Sequence, residues 1–336
     1  EPAGLARKAE PACGGVPLPA GTFRKDQRFS VWAGGTELPA QVLPLVVDRA
    51  GFLRWVLVDV QVDLAAGEKK ELVLRAAAPA AKPAAAMKVA DGAAGVTVDT
   101  GKIKFTVSRE KPFGLFSSVE AGGKALVSGG EVSYTDFTVA ERLSAGDKPE
   151  VVTVEYAGPM RATVYVRGRF AGDEDTRMRY VARITAWAGH SDVHVKYSLA
   201  NSNDQTYAWR HIKDSSVRLT LAVESSATLL GAGEPLEAAP PAWMAQSARF
   251  FKAAVHGKDS LGDCPWYRRT PGASGPGGAK AMAGEEELWT SSGKGDAPEG
   301  WIAARTAAGT LAVHDLFFAD DPPRRLAAEK NALGLS

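Results

Sequence analysis

Met160-Arg161-Ala162-Thr163-Val164-Tyr165-Val166-Arg167-Gly168-Arg169-Phe170 alternates between polar and apolar residues along its whole length. Arg161, Thr163, Tyr165, Arg167 and Arg169 share one parity, and Met160, Ala162, Val164, Val166 and Phe170 share the other. Successive side chains of an extended chain point to opposite faces, so this stretch is predicted to be a strand buried on one side and polar on the other. The same period continues in Arg177–Trp187, where Arg177, Arg179 and Arg183 share a parity, and in Val193–Ala200, where His194, Lys196 and Ser198 do. A suitable hairpin register would gather these cations on one sheet face.

Working outward, short β-branched and aromatic runs separated by Gly, Pro, Asn and Asp predict further strands. Upstream these are Phe29–Trp32, Phe52–Leu64, Lys70–Arg75, Gly95–Asp99, Ile103–Ser108 and Val151–Tyr156. Downstream they are Ser216–Glu224, Phe250–His256, Trp301–Arg305 and Thr310–Phe318. Helical periodicity is confined to Asp321–Lys330. The expected class is all-β and mainly antiparallel.

The 336 residues are 45% hydrophobic and 24% charged, which excludes a disordered chain. Forty Lys and Arg against 39 Asp and Glu leave a net charge of +1, so nothing in the total attracts nucleic acid or an anionic membrane. Any anion site must therefore be local. No apolar run reaches the roughly 20 residues of a bilayer span; the candidate Phe52–Val62 is interrupted by Arg54, Asp59 and Gln61. Glu1-Pro2-Ala3-Gly4 lacks the basic and apolar parts of a signal peptide, which fits a processed secreted chain and a trimmed one equally. The expected location is secreted, extracellular or periplasmic. Cys13 and Cys264 are too far apart in sequence for a compact metal motif; they fit either one disulfide or two inert thiols.

Ala76-Ala77-Ala78-Pro79-Ala80-Ala81-Lys82-Pro83 has no strand alternation and two prolines that interrupt helix, which marks a boundary. The expected organisation is an N-terminal arm at 1–14, a small β domain at 15–77, a linker at 78–95 and a large β-sandwich at 96–336. The last contains a long irregular loop at 257–300, with a Gly/Pro-rich stretch at 270–278.

Five stretches carry a family resemblance. Gly15-Val16-Pro17-Leu18-Pro19-Ala20-Gly21-Thr22, Leu38-Pro39-Ala40-Gln41 and Phe52-Leu53-Arg54-Trp55-Val56-Leu57-Val58-Asp59 resemble the RIFT barrel that opens rhamnogalacturonan exolyases and YetA-like proteins, a polysaccharide lyase group. Val98-Asp99-Thr100-Gly101-Lys102-Ile103-Lys104-Phe105 resembles the start of that group's β-sandwich. Gly309-Thr310-Leu311-Ala312-Val313-His314-Asp315-Leu316-Phe317-Phe318, with Pro322-Pro323, resembles its closing strand. The resemblance implies a RIFT-type barrel followed by a large antiparallel sandwich. Family members continue into an (α/α) toroid holding much of the catalytic cleft, and nothing in residues 1–336 corresponds to it. The expectation is a lyase-like chain that is not catalytically complete by itself.

Elimination on a uronate needs donors to neutralise the carboxylate, a base for the C5 proton and an acid for the leaving oxygen. Tyr207-Ala208-Trp209-Arg210-His211-Ile212-Lys213 and Asp263-Cys264-Pro265-Trp266-Tyr267-Arg268-Arg269 combine aromatic platforms with cations, as saccharide sites do. The catalytic candidates are His211, Arg210 and Tyr267. The substrate-binding candidates are Trp209, Lys213, Trp266, Arg268, Arg167 and Arg179, and the disulfide candidates are Cys13 and Cys264. For each of these the blander alternative is a core aromatic, a solvated charge or a cation neutralised by neighbours such as Glu155 and Asp192.

No metal site is expected. His190 and His194 lie about 13 Å apart along a strand, and Asp173-Glu174-Asp175, although able to offer oxygens to calcium, lacks the spacing of a dedicated loop. No phosphate-binding loop, dinucleotide glycine fingerprint or Gly-x-Ser-x-Gly elbow occurs, so no cofactor is expected. The favoured reading is a secreted β region that binds acidic, galacturonate-containing polysaccharide, with β-elimination only when a further domain completes it. The alternative is a non-catalytic extracellular protein that self-associates into a filament, layer or matrix, for which residues 1–14 and 257–300 supply donatable segments.

Overall fold

The computed structural model describes residues 3–85, 87–136, 142–171, 178–202, 212–232, 234–248, 276–290, 299–316 and 324–336. Among these every regular element is a β-strand, and no helix is long and apolar enough to cross a membrane. The chain forms two compact units.

The first unit comprises Glu1–Glu110, Pro149–Gly168 and Arg179–Ala200. Its N-terminal part is a small β structure in which Leu53–Leu64 pairs antiparallel with Arg7–Pro17 on one side and Ala40–Val47 on the other. A second sheet orders Thr36–Leu38, Ser30–Ala33 and Val73–Arg75. Val31, Ala40, Val60 and Val62 form one apolar cluster, and Phe29, Leu53 and Val56 form another. Much of the segment read as a free arm is therefore a strand. It holds Pro11 and Pro17 because it lies at a sheet edge, where a missing N–H costs no ladder bond.

In the same unit Lys88–Gly92, Gly95–Asp99 and Ile103–Ser108 form an antiparallel ladder. Val151–Ala157, Arg161–Arg169, Met178–Trp187 and Val193–Asn201 form a four-stranded sheet in that order. The alternation read from the sequence sets its burial: Val164, Val166, Tyr180, Ala182, Ile184 and Ala186 are wholly buried, whereas Arg183, His194, Lys196 and Ser198 are exposed. The Arg109 guanidinium ties the ladder to this sheet, donating to the Val152 carbonyl and pairing with Asp91.

The second unit comprises Lys111–Lys148, Arg169–Met178 and Asn201–Ser336. Lys124–Asp136 pairs with Ser118–Ala121 and with Ile212–Leu221. The order then continues through Ala332–Leu335, Arg324–Ala328, Ala242–Ala248, Pro276–Ala283 and Glu286–Thr290. A second sheet orders Glu234–Ala238, Ser225–Ala232, Trp301–Thr306 and Gly309–His314. Leu221, Leu230, Met244, Ile302, Leu326 and Leu333 fill the shared core. Gly114 and Gly130 meet here so closely that a Cβ on Gly114 would lie 2.1 Å from the Gly130 carbonyl.

Two expectations are corrected. Helix was expected at Asp321–Lys330, but Arg324–Ala328 is a strand hydrogen-bonded on both sides, with Leu326 and Ala328 buried and Arg325 exposed between solvent and the Trp243 ring. Pairing on two edges overrides the helix preference of its Arg, Leu and Ala residues. Within the span read as irregular, Pro276–Ala283 and Glu286–Thr290 form a hairpin. The strand geometry predicts that Leu326→Ala lowers unfolding free energy by about 3 kcal/mol, against about 1 kcal/mol or less for Arg325→Ala. Urea denaturation reads both, and equal losses would contradict the alternation.

Candidate functional site

Two polar constellations stand out in the first unit. One is buried. Asp59 lies on Leu53–Leu64 and is only 1% exposed. Gln41, on the neighbouring strand, donates to its Oδ2 at 3.2 Å, and Arg161 Nε lies 2.9 Å from its Oδ1, an ion pair rather than a directed hydrogen bond. The Gln41 Oε1 accepts from the Met160 N–H at 2.8 Å, and the Arg161 guanidinium lies 5.0 Å above the Tyr156 ring. Gly158 is required at this point, since a Cβ would sit 2.3 Å from Gln41 Oε1 and 2.7 Å from the Tyr156 hydroxyl.

Cys13 pairs across the ladder with Asp59. Burial, the hydrogen bond to Asp59 and the Asp59 charge push its thiol up to about 11, with Arg161 opposing. Burial, followed by the Asp59 charge, pushes the Tyr156 hydroxyl up to about 12. Both groups therefore stay protonated at neutral pH, where neither is poised as a nucleophile or base. Asp59 and Arg161 neutralise each other in a site with little water, so the cluster works as a clasp between segments about 100 residues apart in sequence.

The other constellation is open. On the outer face of the four-stranded sheet the hydroxyls of buried Thr163 and half-buried Thr185 share a hydrogen bond at 3.0 Å across neighbouring strands. Arg183 grips Glu155 through Nε at 2.8 and 2.9 Å and through Nη2 at 2.8 Å, while its guanidinium lies 5.0 Å from the Tyr165 ring centre. That carboxylate holds the Arg183 charge in place. The Trp187 and His194 rings meet edge to face at 5.0 Å. Nearer the opposite end, Arg179 and Arg167 both approach Glu150, at 2.5 and 3.6 Å.

Of the residues singled out in the sequence, Arg167 and Arg179 are thus brought together on one carboxylate. Trp209, Arg210, His211, Cys264, Trp266, Tyr267 and Arg268 lie outside the described residues, and Lys213 falls on the Ile212–Leu221 strand. Cys13 is a free cysteine. Sequence reasoning missed the Asp59 clasp and Trp187. The second was legible, since Trp187 shares the parity of Arg179 and Arg183; the first was not, since its members are remote in sequence. Among the described residues no three His, Cys, Asp or Glu side chains converge as a metal site. In the second unit a shallow depression of about 160 Å³ is lined by Ser216, Arg218, Arg325 and Glu329, with Arg218 held by Glu329 at 2.5 Å.

The clasp makes a pH prediction. The folded-state values for Cys13 and Tyr156 lie above the ordinary 9.0 and 10.0, so the fold favours the protonated forms. Their contribution to stability is complete below pH 9 and is lost as pH rises through about 11 and about 12. Thermal melts across this range should show the wild type losing stability more steeply than the Cys13→Ala, Tyr156→Phe double variant. Parallel profiles would dismiss the clasp as the titrating element.

No curated protein sequence matches the chain. Among solved structures, an alpha-mannosidase from Enterococcus faecalis V583 aligns with a TM-score of 0.47 at 10% identity, covering 99% of this chain and 41% of that one. The chain thus spans well under half the length of that protein. Residues 87–222, which include the four-stranded sheet, match the family described as PcRGLX-like protein central beta sandwich domain, so this part of the chain is similar to a rhamnogalacturonan-lyase-like central β-sandwich.

Proposed function

We propose that this chain is the β-rich N-terminal region of a secreted polysaccharide-lyase-like protein that binds acidic, galacturonate-containing polysaccharide. Elimination would proceed only when a further domain supplies the base. The observation that carries the reading is the match of residues 87–222 to a PcRGLX-like central β-sandwich. The open face on that sandwich supports it, because aromatic rings, hydroxyls and paired planar charges are the chemistry that holds sugars. In this reading Arg210 and His211 neutralise a uronate carboxylate and move a proton, Tyr267 and Arg268 line the loop side, and Trp209, Lys213 and Trp266 contact sugar.

The test is titration of the full chain with polygalacturonate and with a neutral galactan. Binding of the acidic polymer alone is expected, with Arg210→Ala and His211→Ala each about tenfold weaker from the loss of a charge-assisted contact. No resident cofactor enters the reading, so a chelator should leave the affinity unchanged. Absence of polygalacturonate binding would overturn the reading. Unchanged binding in both variants would remove Arg210 and His211 from it.

One observation favours the second reading, self-association without catalysis. Leu45, Val46, Val47 and Trp55 are all exposed on adjoining strands of the small N-terminal β structure, with Val46 and Trp55 directly paired. If that patch joins copies, Trp55→Glu should convert a larger species to monomer in sedimentation velocity. A monomeric wild type would remove this reading.

A further inference from the structure

We propose that the outer face of the four-stranded sheet around Trp187, Thr185, His194, Lys196 and Ser198 is a binding platform for one stretch of a uronate-bearing saccharide. It rests on the acidic-polysaccharide reading above and assigns the binding to a place. The antiparallel connection at 188–192 brings His194 beside Trp187. Moving two residues on to Lys196 steps about 6.8 Å along the same face. One surface therefore carries an aromatic ring, a cation and the hydroxyls of Thr185 and Ser198, flanked by Arg183, Glu155 and the Tyr165 ring.

Charge decides the occupant. Arg183 and Glu155 cancel each other, and Arg179 and Arg167 are drawn to Glu150 at the far end. Lys196 is exposed and takes part in none of these ion pairs, and Asp192, also exposed, stands two residues before His194 at the rim. The platform so offers, among the described residues, the Lys196 ammonium outside these ion pairs, beside groups that suit a sugar ring. A pyranose places its C–H face on Trp187, its hydroxyls on Ser198 and the half-buried Thr185, and its carboxylate on Lys196. A neutral sugar gains the stacking and loses the charge contact.

The experiment is calorimetric titration of the full chain with an oligogalacturonate and with a neutral oligogalactose of equal length. Lys196→Glu, at an exposed position, should weaken oligogalacturonate binding by at least about tenfold and leave the circular dichroism unchanged. Trp187→Ala should weaken it similarly, while Trp187→Phe should keep most of it. If Lys196→Glu and Trp187→Ala, both folded, bind like the wild type while Arg210→Ala does not, the platform is wrong and the functional reading stands. If the wild type binds no oligogalacturonate, both fall. Equal binding of neutral and acidic oligomers would overturn the role of Lys196.

Discussion

Burial of one face of the four-stranded sheet is the constraint from which the rest follows. Val164 and Val166 on one strand, and Tyr180, Ala182, Ile184 and Ala186 on the next, are fully removed from water. Val164, Val166 and Ile184 each contribute about 1.5–3 kcal/mol by this burial. A slip of one residue in either strand would expose all of them and bury Arg183 and Arg167 without partners. The register is thereby fixed, and with it the identity of the outer face. The Thr163–Thr185 bond, the Arg183–Tyr165 stack and the Trp187–His194 contact are consequences of that register, seen from the solvent side.

The Asp59 clasp answers a different constraint. A carboxylate placed in the ladder of a small β structure costs several kcal/mol of desolvation unless something neutralises it. Arg161 does so from the first residue of its strand, and Gln41 uses its amide in both senses, donating to Asp59 and accepting from Met160. Removing either partner leaves a buried charge, so the arrangement gives position more than net stability. The raised Cys13 and Tyr156 values are side effects of the same low-water site, which makes these groups poor candidates for chemistry despite their perturbation.

What could be read in advance divides along physical lines. Met160–Phe170 and its two successors were legible because alternation is a local signal and tertiary packing merely enforces it. Arg7–Pro17 was not, because two prolines and Gly14–Gly15 hide a strand that survives only at an edge, with a register shift near Ala9, whose φ of +48° is carried by a bond from Ala9 N–H to Asp63 and one between His190 Nε2 and the Ala9 carbonyl. At Arg324–Ala328 local preference pointed to helix and two-sided pairing prevailed. In the sequence Asp59 only interrupts an apolar run; its partners at 156 and 161 come from a part of the chain that no local pattern connects to it. The open face was half legible: its cations were foreseen, whereas their neutralisation depends on which carboxylates the register brings alongside.

That last point bears on what kind of recognition such a surface supports. With a net charge of +1, and with Arg183 paired to Glu155 and Arg167 and Arg179 to Glu150, the protein exerts no long-range pull on a polyanion. On the proposed platform, affinity would arise at contact, from stacking and from hydrogen bonds held in place beside the Arg183–Glu155 fork. A fork that is satisfied before the ligand arrives loses little side-chain freedom on binding. One unpaired lysine within such a preformed surface adds preference for a carboxylate without making the surface adhesive to every anion. Shape and hydroxyl pattern then govern what is held, and charge makes the final selection.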